Sequence, residues 1–231
     1  MISFEDYFKT TRNGLYGLIL GAPLLLLYEA LVYLADLGIR NSADVILVNW
    51  LRWVRPIPPL YLKGVVLLTI LALAVFFNRK KKFKLQYAPF LISEAMVYSF
   101  LLGLVITKIL QPFMNMPAYL APGSLIVSLT GSIGAGVYEE FLFRAILFGG
   151  IFFLAKRFLS TPFAWLLGAA ISSALFAAYH YTGPMGDSFN LYTFAYRGVA
   201  GLLFCWLYYL RGFAVAAYTH AFYNIWIFLG I

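Results

Sequence analysis

Charge is what this sequence has least of. Aspartate, glutamate, lysine and arginine make up 11% of its 231 residues, where an ordinary soluble domain carries about 25%. Acid is scarcer than base, with 9 Asp and Glu against 17 Lys and Arg, and histidine occurs only 2 times. So little charge cannot keep in water a chain that is 63% hydrophobic with a mean hydropathy of +0.85. A soluble globular fold is excluded, and lipid is left as the solvent for the apolar surface. Cysteine is nearly absent too: Cys205 stands alone, which excludes an intrachain disulfide. The first apolar run, from Gly14, has no A-x-A-type site behind it, so no cleavable signal peptide is expected. The net charge of +8 does not point to nucleic acid, because the basic residues fall between apolar runs, as in positive-inside loops.

What fills the chain instead is apolar runs. A span needs about 20 mostly apolar residues, and the candidates are 14–35, 60–77, 88–110, 123–154, 162–181, 191–210 and 213–230. The stretch 45–54 carries Trp50, Arg52 and Trp53 and runs into Pro56, Pro58 and Pro59, which reads as an interfacial helix and a stiff turn. Ile2, Phe4, Tyr7 and Phe8 make the N-terminal segment interfacial as well. The basic run Arg79, Lys80, Lys81, Lys82 and Lys84 marks its loop as cytoplasmic. Segments 111–122 and 182–190 carry no basic residue and fall outside, whereas Lys156, Arg157 and Arg211 fall inside. Segment 123–154 is too long for one upright helix. It is tilted or broken near Gly131, Gly134 and Gly136, and a bend is preferred because a second crossing would move Lys156 and Arg157 to the wrong side. The expectation is one all-α, polytopic transmembrane bundle over 1–231, with seven or eight spans. Residues 1–122 supply N-terminal helices and the basic loop, and 123–231 the helices that carry the motifs.

Ionisable groups at a bilayer centre cost at least ~2.5–3.5 kcal/mol each, so those present usually face the interior and act. Here they are Glu29, Glu94, Glu139, Glu140, Arg144, His180, Arg197 and His220. Three patterns stand out. Glu140 and Arg144 are four apart on one helix face, which pairs them, while Glu139 points elsewhere, such as into a wet cavity. Phe176 and His180 share a face, as do His220 and Asn224. Each pattern has a structural alternative: Glu residues pinned to Arg144 and Arg197, an interfacial His180, and a His–Asn clamp between helices. Taken together they put a carboxylate, two imidazoles and a carboxamide in one bundle. A carboxylate can deprotonate water beside an imidazole, while a second imidazole and an amide stabilise an oxyanion. Arg197, Glu29 and Glu94 are second-tier candidates, the two Glu expected to meet a cation such as Arg197 or Lys108, or to line the cavity. Cys205 reads as a packing residue. Gly131, Gly134, Ala135 and Gly136 read as a close-approach surface ahead of Glu139.

E-E-x-x-x-R, F-x-x-x-H and H-x-x-x-N, in that order on separate apolar segments, resemble the CAAX-protease and bacteriocin-processing family, also called CPBP or Abi. That family includes the type II CAAX prenyl endopeptidases, and the resemblance covers 123–231. It implies a glutamic intramembrane protease with a conical or open polar cavity. Glu139 would activate water, His180 assist, and His220 with Asn224 form the oxyanion site, supported by Glu140, Arg144 and Phe176. No cofactor is implied; a zinc site of Glu139, His180 and His220 stays open as an alternative, without an HExxH motif. The implied partners are membrane lipid and a peptide or protein with a membrane-associated terminus, with no nucleic acid. The implied place is a bacterial cytoplasmic membrane, and oligomeric state is not indicated. Eukaryotic members take substrates from the cytosolic side, whereas the charge pattern here puts His180 near the outer end of its helix. Two other readings remain: a non-catalytic bacteriocin-immunity or scaffold protein, and a proton-coupled transporter, the latter disfavoured by the lack of an internal repeat.

Overall fold

The computed structural model describes residues 3–34, 40–54, 84–110, 124–183 and 186–230, with scattered residues between 58 and 76. Every regular element among them is helical. The short helix α1, Phe4–Thr11, begins with the Ser3 hydroxyl accepting from the Asp6 amide and carries Glu5 and Asp6 in its first turn, as the helix dipole favours. Asn13 then starts α2, Gly14–Leu34, its side-chain oxygen accepting from the amides of Leu15 and Tyr16. Asn41 does the same for α3, Ser42–Val54, at the Ala43 amide. A 3-10 turn at Leu85–Tyr87 leads into α4, Ala88–Leu110.

Next comes one uninterrupted helical rod in three sections: α5 Leu125–Gly134, a π-helical section Ala135–Phe148, and α6 Gly149–Ala155. Near the glycines, where a tilt, a bend or a break was expected, the helix is not broken. Gly134 and Ala135 keep right-handed helical dihedrals, and the winding widens instead of breaking. Close approach is the reason glycine is used here. A Cβ at Gly136 would lie 2.4 Å from the Ala217 carbonyl oxygen, and one at Gly134 2.5 Å from the Tyr28 ring. Gly131 meets nothing within 4 Å and does not belong to that surface.

The bundle is completed by α7 Thr161–Tyr179, α8 Leu191–Arg211 and α9 Phe213–Leu229. Gly212 alone joins α8 to α9, at a φ of 83° that favours glycine. Residues 213–221 of α9 are buried without exception, so this helix forms the axis, packed by α2, α4, the α5–π rod and α8. Apolar side chains face outward around it, among them Phe90, Val97, Phe100 and Leu104 on α4 and Phe163, Leu166 and Leu175 on α7. Such surfaces suit lipid. Three helices are long and apolar enough to cross a membrane among the described residues: Gly14–Leu34, Leu85–Leu110 and Thr161–Tyr179. Phe213–Leu229 is apolar but shorter. Most of the candidate span 60–77, the basic residues Arg79 to Lys82 and the loop 111–122 lie outside the described residues.

One end of the bundle is basic. The α1 helix lies across it, with Tyr7 and Thr11 buried and Phe4 and Phe8 exposed. Arg211 fastens it: the guanidinium donates to both carboxylate oxygens of Glu94 at 2.5 and 2.7 Å, to Thr11 Oγ1 at 3.0 Å and to the Phe8 carbonyl at 3.3 Å. Tyr7 donates to the same Glu94 carboxylate at 2.5 Å. Lys84 pairs with Asp6. Arg12 stands over Tyr209, whose ring meets Phe152, over which Lys156 lies. The basic residues expected on the inner side and present among the described ones therefore gather at one end.

Candidate active site

The π section carries Glu139, Glu140 and Arg144 into the interior, where Glu140 and Arg144 are fully buried and Glu139 nearly so. The wider winding is a helix form that recurs at functional sites. Arg144 Nη1 stands 3.1 Å from Glu140 Oε1, the i,i+4 pair the spacing predicts. Its guanidinium lies over the rings of Phe176, at 4.3 Å, and Phe204, at 5.3 Å. A buried charge without a partner costs several kcal/mol, on the order of 3–5 when one member of such a pair is removed. Each member here needs the other.

Glu140 has a second partner that the sequence did not indicate. Its Oε1 accepts from His220 Nδ1 at 2.7 Å. Because a carboxylate only accepts, Nδ1 carries the proton and the Nε2 edge is left for chemistry. That edge faces Glu139, with Nε2 and Oε2 3.9 Å apart. The imidazole is held in plane by Phe204, stacked at 4.5 Å, and touched edge-on by Phe176 at 6.1 Å. Glu140 thus orients a histidine as well as pairing with Arg144.

His180 caps the C-terminus of α7, and its Nδ1 meets the Phe176 carbonyl at 2.8 Å. A carbonyl oxygen only accepts, so in the neutral ring Nε2 bears the lone pair. The ring also packs against Phe176 and Tyr179 and lies within electrostatic reach of Glu139, Arg197 and His220. Asn224 sits one turn beyond His220 on α9, half-buried, with its side chain hydrogen-bonded to no described residue.

The first half of the chain also reaches the site. Asn41 Nδ2 donates to Glu139 Oε1 at 2.9 Å, across 98 positions of sequence. The Asn41 amide donates to the Tyr28 hydroxyl at 2.9 Å, and that hydroxyl donates to Asp44 at 3.1 Å. Sequence reasoning missed Asn41, Tyr28 and Asp44. The one local signal was an Asn-Ser-x-Asp start to an amphipathic helix, and it says nothing about a partner so far along the chain.

Two expected pairings are corrected. Glu29 does not meet Arg197 or Lys108. It accepts from Lys63 at 2.8 Å, Tyr138 at 2.5 Å and Arg40 at 3.4 Å, in one cluster with Asp44. Its cations come from residues outside α2, Arg40 just before α3 and Lys63 beyond it, which no spacing within α2 could indicate. Arg197 does not pin a glutamate either; it pairs with Asp187 and lies over the Tyr181 ring at 5.2 Å. Glu94 meets Arg211, at the far end from His180. Cys205 is buried against Ser173, as a packing residue would be. Among the described residues no three His, Cys, Asp or Glu side chains form a group arranged to hold a metal ion.

Neither a curated protein nor a solved structure matches the chain. A family model does: the type II CAAX prenyl endopeptidase Rce1-like family, over residues 121–226, the stretch that holds Glu139, Glu140, Arg144, His180, His220 and Asn224. In that stretch the chain is similar to the Rce1-like, CAAX-protease (CPBP/Abi) family.

Proposed function

We propose that this protein is a multi-pass intramembrane endopeptidase that cleaves a membrane-associated peptide or protein with water activated by Glu139. The match to that family model over residues 121–226 supports a protease of the CAAX type. The observation that carries the mechanism is the pairing of Glu139 Oε2 with the free edge of His220, 3.9 Å away, while Glu140 locks the ring from behind.

In this mechanism Glu139 takes a proton from water, and the hydroxide attacks the scissile carbonyl carbon. His180, with its Nε2 lone pair, accepts the other water proton as a hydrogen bond and so aims the attack. The carbonyl oxygen becomes an oxyanion, which accepts from the Asn224 amide and from His220, an imidazolium in this mechanism that enters and leaves the cycle with both Nδ1–H and Nε2–H. The negative Glu140 carboxylate supports that imidazolium. The proton held by Glu139 then passes to the leaving amine as the C–N bond breaks. Asn41 holds the other oxygen of Glu139 throughout, so that one carboxylate edge stays aimed at the reactant.

The architecture proposed with this chemistry is a seven-span bundle in a bacterial cytoplasmic membrane, basic end inward, with a polar cavity that opens beside Asn41 and His180. No metal is required by it, and a saturating chelator leaves activity unchanged. The substrate class is a peptide or protein whose terminus lies at the membrane. The test is a comparison of peptide termini extracted from cells that carry the wild type or Glu139→Gln. New termini are expected with the wild type alone. Identical termini from both, at equal protein levels, overturn the reading and favour a non-catalytic immunity or scaffold role.

A further inference from the structure

At the basic end, α1 does not seal against the bundle. A cavity of about 360 Å³ lies between it and the end of α8, lined by Phe8, Lys9, Arg12, Asn13, Leu210 and Arg211. Three of these are cations, and none is an acid. The charges nearest to hand are largely committed: Arg211 to Glu94, and Asp6 to Lys84. Glu5 is the one other acid on α1, exposed and in its first turn. Lys9 and Arg12 are exposed, and neither has an ion-pair partner among the described residues. The first turn of α2 starts at the same place, its leading amides capped by Asn13 at 3.1 and 3.2 Å, and adds the positive end of a 21-residue helix dipole. The walls are apolar at Phe8 and Leu210, both partly exposed on the outer surface. Lys84, Lys156 and Arg157 extend the positive field around the opening.

We infer that this cavity is a binding site for the phosphate headgroup of an anionic phospholipid. Lys9 and Arg12 hold the phosphate oxygens, and the acyl chains leave along Phe8 and Leu210. A free phosphate ion offers the same oxygens, but it would leave the apolar walls uncovered. A lipid bound here ties α1 to α8 at the point where Arg211 already joins them. The inference is independent of the chemistry proposed for Glu139, which lies on other elements.

The test uses the full chain in detergent, with phosphatidylglycerol, phosphatidylcholine and inorganic phosphate as separate probes, read by thermal unfolding and by native mass spectrometry. Phosphatidylglycerol at ten times its dissociation constant is expected to raise the unfolding midpoint by about 3–6 °C and to remain bound as a single adduct. Phosphatidylcholine and phosphate give no comparable shift. The double variant Lys9→Ala, Arg12→Ala loses both the shift and the adduct while keeping the lipid-free midpoint, since both side chains are exposed. Lys156→Ala, a cation outside the cavity, keeps both. An equal shift with phosphate, a shift retained by the double variant, or no shift with phosphatidylglycerol each overturns the inference.

Discussion

Glu139 and Glu140 are neighbours in sequence with different surroundings. Glu140 is fully buried between a guanidinium and an imidazole, and neither of its oxygens is reachable by a substrate. Glu139 has one oxygen fixed by Asn41 and the other turned toward His220. The difference arises because one residue of helical advance rotates the side chain to another face, and each face meets a different neighbour. Asn41 is then a positioning residue: its hydrogen bond to a charged acceptor is worth about 1.5–3 kcal/mol. Asn41→Ala is expected to lower kcat by roughly 10–100-fold with little change in KM or in the unfolding midpoint, as measured on the purified protein with a cleaved peptide. An unchanged kcat would remove Asn41 from the mechanism.

At the scale of elements, the α5–π rod and α9 decide where these side chains sit. Both are lined with small residues where they meet: Gly136 on one side, Ala217 and Ala221 on the other. Backbone-close packing is how helices associate where water gives no drive. A larger residue at Gly136 must push α9 away and carry His220 with it. Gly136→Leu is therefore expected to lower stability by about 1–3 kcal/mol and to abolish activity, whereas Gly131→Ala, open to space, leaves both unimpaired. Thermal unfolding of the two variants side by side reads the difference. The sequence showed this surface as a cluster of small residues suited to close approach, which Gly134 and Gly136 provide and Gly131 does not. Glycine spacing reports a lack of side chains; it does not distinguish a kink from a close contact or from a change of winding. The i,i+4 pairs were legible for a simpler reason. Glu140 with Arg144 and Phe176 with His180 depend only on helical geometry within one segment. The Glu140–His220 and Asn41–Glu139 bonds join different segments, and no local spacing encodes them.

For the whole molecule, composition alone indicated helices in lipid, and the distribution of Lys and Arg anticipated that Lys84, Lys156, Arg157 and Arg211 share one end. That reasoning works because a bilayer imposes one dielectric boundary on every segment at once. It could not anticipate the partners of Glu29 or Arg197, which depend on which helices become neighbours. With the basic end inward, Ser42, next to Asn41, faces the outer side. In a Cys205→Ser background, Ser42→Cys is expected to react with a membrane-impermeant thiol reagent on intact cells. Lys156→Cys is expected to react only after permeabilisation. The reverse pattern would invert the proposed orientation and turn the site toward the cytoplasm.

The proposed cleavage depends on Glu139 as the group that takes a proton from water. Its most direct measurement is the cleavage rate of purified Glu139→Gln, which keeps the shape and the contact with Asn41 but cannot act as a base. A loss of about 10²–10⁴-fold or more, at an unchanged unfolding midpoint, is the predicted result. Cleavage at the wild-type rate by a folded Glu139→Gln protein would contradict it.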